Sequence, residues 1–117
     1  MFLALAGVEE AEVFRQAAEE NETSIRRVMD PQAFLKALTE QRPKALFVDV
    51  TSMDLDGVEA VETIKRDSSA RTLPLVAFGN SLRADRLQDA QEAGADLVLP
   101  RAAFHDQLSG IIRRYSR

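Results

Sequence analysis

Residues 44–57 read KALFVDVTSMDLDG, and within them Ala45–Val48 is an unbroken apolar run that stops at a single acid, Asp49. A short run of this kind, bounded by polar residues, reads as a strand buried on both faces. Strands buried on both faces belong to parallel sheets covered by helices, because a half-exposed antiparallel strand would alternate apolar with polar. The acid at its end needs a reason to be there, since a carboxylate partly removed from water costs free energy unless it is paired, hydrogen-bonded or bound to a metal. Capping of the following turn by the Asp49 side chain is the simplest such reason.

Working outward, Phe2–Ala6 and Leu75–Phe78 are further continuous apolar runs, and Ser24–Val28 and Leu97–Leu99 are weaker strand candidates. Between them the apolar period becomes helical. Ala11, Phe14, Ala17 and Ala18 share a face, as do Phe34, Leu35 and Leu38; then Val58, Val61 and Ile64; Leu87, Ala90 and Ala93; and Phe104, Leu108, Ile111, Ile112 and Tyr115. Punctuation agrees: Asp30-Pro31 is a cap and first-turn proline, Pro43 breaks the chain before the third strand, and Gly94 suits a helix end. Five strand–helix pairs in strict alternation predict one α/β domain over residues 1–117. It is a doubly wound five-stranded parallel sheet, helices on both faces, in three layers α/β/α.

Composition sets the limits. The 117 residues are 45% apolar and 29% charged, enough to enclose a core and unlike a disordered chain. A net charge of −4 with interspersed signs offers no basic stripe for nucleic acid, and the basic end Ile112–Arg117 complements a helix dipole. The absence of cysteine excludes disulfides, thiolate chemistry and cysteine-ligated zinc. The run Met1–Val8 lacks a basic leader, meets Glu9 and Glu10 at once, and is too short to span a bilayer; a cytoplasmic protein without membrane contact is expected.

In an open parallel sheet, ligands sit beyond the carboxyl ends of the strands. Those ends are Ala6 and Gly7, Asp49, Gly79 and Asn80, and Pro100 and Arg101, of which only Asp49 and Arg101 carry charge. His105, the one histidine, is expected at the surface, and Ser52, Ser68, Ser69 and Ser81 have no histidine partner in any recognisable arrangement. Gly7 alone is no phosphate-binding series. An enzyme is therefore not expected.

The stretch Lys44–Val50 followed by Met53-Asp54-Leu55-Asp56-Gly57 resembles the phosphoacceptor strand and loop of response-regulator receiver domains, with Asp49 and Gly57 eight positions apart. Leu73–Phe78 resembles the fourth strand of that family and Glu92–Asp96 the turn into the fifth, so nearly the whole chain falls in register. The resemblance implies a flavodoxin-like, CheY-like fold, a place in two-component phosphorelay signalling, and Asp49 as the phosphoacceptor equivalent. It also exposes departures. Ala6 and Gly7 stand where the family has its magnesium-holding acid pair, Gly79 replaces the switch hydroxyl, Val98 the switch aromatic and Arg101 the lysine, with Ala102 in place of the following proline. Glu9 and Glu10 read as the start of the first helix, not as substitutes for the pair, and Asp54 and Asp56 as solvated loop acids.

Phosphoryl transfer to a carboxylate needs cations to neutralise the equatorial oxygens. With that set depleted, the sequence predicts a pseudo-receiver signalling by protein–protein interaction, without a metal or cofactor. Asp49 with a nearby carbonyl and waters leaves only a weak magnesium site open. Without the acid pair Asp49 lacks a partner, and Arg101 is expected to reach it as a permanent ion pair. The alternatives are a receiver phosphorylated at Asp49 by a histidine kinase, and a small flavodoxin-like cofactor binder. The resemblance puts the partner surface, and any homodimer contact, on the fourth helix, fifth strand and fifth helix, where Leu82, Leu87, Phe104 and Ile112 are candidates for an apolar patch, at least two of them expected in the core instead.

Overall fold

The computed structural model describes residues 1–116; Arg117, the last arginine of the basic C-terminal run, lies outside the described residues. The strands are β1 (Phe2–Leu5), β2 (Ile25–Val28), β3 (Leu46–Asp49), β4 (Leu75–Gly79) and β5 (Leu97–Pro100). The helices are α1 (Ala11–Glu20), α2 (Pro31–Gln41), α3 (Gly57–Arg66), α4 (Ala84–Glu92) and α5 (Arg101–Tyr115), with one 3-10 turn, Val8–Glu10, ahead of α1. All strands pair in parallel in the order β2-β1-β3-β4-β5, the doubly wound sheet expected from the alternation. The order reverses at β1 and β3, so the crevice at the carboxyl ends of those two strands is the place for a site.

Strand parity divides the core in two. Leu3, Leu5, Leu46, Val48, Leu75 and Ala77 face α2, α3 and α4, where Phe34, Leu38, Val61, Ile64 and Ala90 close a layer that is aliphatic apart from Phe34. Phe2, Ala4, Phe47, Val76 and Phe78 face α1 and α5 and meet Phe14, Phe104, Leu108 and Ile112. Five of the six phenylalanines lie in this second layer. They stack or cross in a chain that runs from Phe2 over Phe47 and Phe104 to Phe78.

Local chemistry fixes the joints. Asp30 caps α2 by accepting a hydrogen bond from Ala33 N at 3.2 Å, with Pro31 in the first turn. Gly94 takes φ 111° after α4, a conformation that side-chain-bearing residues rarely adopt. Gly57 permits a close approach: a Cβ there would lie 2.2 Å from the Asp49 carbonyl oxygen and 2.8 Å from Val50 Cα. The first turn of α3 can abut the end of β3 only because residue 57 has no side chain. That contact gives the eight-residue spacing between Asp49 and Gly57 a steric basis.

Candidate functional site

Asp49 follows Phe47 by two residues on β3, so its side chain leaves the sheet on the α1/α5 side. It is fully buried, and both carboxylate oxygens are committed. Oδ1 accepts from Thr51 N at 2.9 Å, Thr51 Oγ1 at 3.1 Å and Ser52 N at 3.3 Å; these are the turn-capping bonds foreseen for it. Oδ2 accepts from Arg101 Nη2 at 3.0 Å, which is the ion pair expected from the sequence.

Arg101 is the first residue of α5, and its other terminal nitrogen, Nη1, donates to Glu10 Oε1. The guanidinium thus bridges two fully buried carboxylates, one from the turn after β1 and one from the end of β3, and lies 5.4 Å from the centre of the Phe78 ring. Burial alone would lower the affinity of this guanidinium for its proton. Hydrogen bonding and attraction to Asp49, then to Glu10, outweigh that and leave its pKa above the ordinary value. A raised cation contributes its stability at every pH below its ordinary value, and that contribution is lost only in strong alkali.

His105 keeps 30% of its side chain exposed, in line with the expected surface position; it stands one turn after Arg101 on α5, and its Nε2 lies 3.0 Å from Glu10 Oε2. One expectation needs correction: Glu9 and Glu10 do not merely begin a helix. The 3-10 turn folds them back over the end of β1, so that one carboxylate oxygen each from Glu9, Glu10 and Asp49 lie within 4.8 Å of one another. Glu9 occupies the space over Gly7, where an added Cβ would lie 2.6 Å from its Oε2. Ala6 and Gly7 carry no acid, yet acids reach their neighbourhood from the next turn.

At the end of β4, where Gly79 stands in place of the family's switch hydroxyl, Thr51 fills the space beside the glycine. A Cβ on Gly79 would lie 2.3 Å from Thr51 Cγ2 and 2.5 Å from Thr51 Oγ1. The Thr51 hydroxyl donates to Asp49 and accepts from Asn80 N at 3.0 Å, tying the loop after β3 to the loop after β4. The hydroxyl has moved to another strand end, and the glycine makes room for it. Val98 is half-buried against the aliphatic layer, opposite Ala77 on β4.

Magnesium, which the resemblance implies, does not fit these side chains as they stand. The three carboxylates are the right chemistry, but Glu10 and Asp49 already spend their oxygens on Arg101, His105 and the Thr51–Ser52 backbone. A hard divalent cation needs those oxygens as direct ligands.

Of the four apolar candidates for the partner face, Phe104 and Ile112 are core, in line with the expectation that at least two would be, Leu87 is half-buried, and Leu82 is 88% exposed. Val8, Met29, Met53 and Leu82, the large apolar side chains exposed among the described residues, follow β1, β2, β3 and β4 respectively. They ring the carboxyl end of the sheet. No helix among the described residues is long and apolar enough to cross a membrane.

Comparison with known proteins agrees with this fold. A family model described as the response regulator receiver domain matches residues 9–113. A putative response regulator from Chloroflexus aurantiacus superposes with TM-score 0.83 at 19% identity, covering 99% of this chain and 97% of that one. The signal receiver domain of a signal transduction histidine kinase from Syntrophus aciditrophicus gives 0.83 at 20% identity, over 97% and 87%. Chemotaxis response regulator CheY4 of Vibrio cholerae gives 0.80 at 16% identity, over 97% and 96%. Among curated sequences, 71 residues are 35% identical to the imidazole glycerol phosphate synthase subunit HisF of Pyrobaculum aerophilum, a match over 56% of this chain that spans 28% of that protein.

Proposed function

Because the chain belongs to the response regulator receiver family, matched over residues 9–113, we propose that it is a pseudo-receiver: a single signal-transduction domain over residues 1–117 that acts by binding a protein partner, without phosphorylation of Asp49. The observation that carries this reading is the state of Asp49. A phosphoacceptor must present one carboxylate oxygen in line with the incoming phosphorus, beside a cation that takes up the charge of the transferred group. Here the carboxylate is fully buried, Oδ1 accepts from the Thr51–Ser52 turn and Oδ2 from Arg101. Freeing either oxygen breaks charge-assisted hydrogen bonds worth about 1.5–3 kcal/mol each.

The usual readout is altered as well. The hydroxyl at this end of the sheet already links Asp49 to Asn80 through Thr51, so that link does not wait for a phosphoryl group. On this reading the protein acts in the cytoplasm, has no enzymatic role and makes no direct contact with nucleic acid or membrane. The partner surface is the face formed by α4, β5 and α5, extended at its upper end by exposed Leu82, and a second copy of the chain is one candidate to cover it.

One observation favours a second reading, in which Asp49 accepts phosphate from a histidine kinase: Glu9, Glu10 and Asp49 do converge. A backbone amide NMR titration with magnesium and then beryllofluoride separates the two, with Asp49→Ala as control. Pseudo-receiver behaviour leaves the amides of Asp49, Thr51, Gly79 and Arg101 unmoved by beryllofluoride. Saturable beryllofluoride shifts that vanish in the control would establish Asp49 as a working acceptor.

A further inference from the structure

Glu10 and Asp49 are buried carboxylates brought side by side from the turn after β1 and the end of β3, with Glu9 near both. Such a grouping is unstable in a low-dielectric setting unless a cation sits among the charges. The cation present is part of the chain. Arg101 points its two terminal nitrogens in a fork, one at Glu10 Oε1 and one at Asp49 Oδ2, from a position against the Phe78 ring.

We infer that the Arg101 guanidinium is the resident cation of this site and keeps divalent ions out of it. The inference rests on the pseudo-receiver reading and deepens it by naming what replaced the metal. Three features support it. The guanidinium already holds one oxygen of Glu10 and one of Asp49, and its positive charge beside them opposes the entry of a second cation. It stays charged throughout the physiological range, so the replacement is permanent, unlike a bound ion in exchange with solvent. Its backbone opens α5, whose Phe104, Leu108 and Ile112 are buried in the aromatic layer, so withdrawal of the side chain is opposed by its own anchorage. His105 supports the arrangement from the next turn by holding the other oxygen of Glu10.

The inference predicts that removing the guanidinium exposes a cation site. In Arg101→Met an apolar stem still covers Phe78, while Glu9, Glu10 and Asp49 lose their fixed partner. Manganese and magnesium are titrated against wild type, Arg101→Met and Arg101→Met/Glu10→Gln, with thermal midpoint and backbone amide shifts as readouts. The single variant is expected to bind manganese at least about tenfold more tightly than wild type. Its midpoint should climb with the logarithm of ion concentration, and the added Glu10→Gln change should abolish the gain.

Wild-type binding as tight as that of the variant overturns the inference, and so does a folded Arg101→Met that takes up no ion. If Arg101→Met folds only when manganese is present, that rescue supports it. If it folds under no condition, the wild-type protein decides. An Arg101 Nε–Hε signal that exchanges slowly and ignores millimolar magnesium is the expected result, and a freely solvated or magnesium-displaced guanidinium is the refuting one. Wild type that binds magnesium alone but is inert to beryllofluoride refutes this inference and leaves the pseudo-receiver reading standing. Beryllofluoride binding at Asp49 refutes that reading itself.

Discussion

Asp49 accepts from two kinds of donor, its own turn and a distant guanidinium, and these should respond differently to substitution. Arg101→Ala leaves Glu10 and Asp49 buried without their shared cation, a loss of the class that costs about 3–5 kcal/mol. Asp49→Ala leaves Arg101 still paired with Glu10 and 27% exposed, so a smaller cost of about 1–3 kcal/mol is expected, chiefly from turn amides left without an acceptor. Urea unfolding of the two variants measures the difference, and equal losses would mean that Glu10 contributes nothing to holding Arg101. The Asp49–Arg101 pair was legible in the sequence because both residues stand at ends of recognisable strands. Glu10 was not, since a single 3-10 turn has no period to announce it. His105 could have been found: it lies four residues after Arg101 on one helix, and that spacing puts both on one face.

At the scale of elements, the glycines at the sheet's carboxyl edge decide how closely neighbouring segments approach. Gly57→Ala would push a Cβ into backbone at 2.2 Å, where no side chain can rotate away, so a loss of at least about 1–3 kcal/mol is expected in a thermal melt. Gly79→Ser meets a side chain instead, Thr51, and should cost about 1–3 kcal/mol alone but less in a Thr51→Ala background, where the new hydroxyl takes the vacated place. Strictly additive losses in the double variant would show that the two positions do not exchange the hydroxyl. The order and type of all five strands and five helices were legible because runs and periods are local properties. The filling of the Gly79 site was not, because it depends on a loop from another strand, which no local pattern encodes.

For the molecule as a whole, the exposed surface is the least legible part of the sequence, because periodicity reports what is buried. The face implied by the family resemblance groups Leu87, Phe104 and Ile112 with Leu82, and packing against the sheet separates Leu82 from the rest. Leu82→Glu should therefore leave the unfolding free energy within about 0.5 kcal/mol. If a second copy covers this face, the same change should shift the chain toward monomer in sedimentation velocity; an unchanged distribution would exclude Leu82 from any self-contact. The phenylalanine-rich layer has a separate consequence. The chain has no tryptophan and one tyrosine, Tyr115, on the last turn of the helix that begins with Arg101, half-buried against that layer with Arg114 above its ring. Ultraviolet emission from this protein therefore comes in practice from one phenol, so a change in its intensity reports the seating of α5 on the sheet without any label.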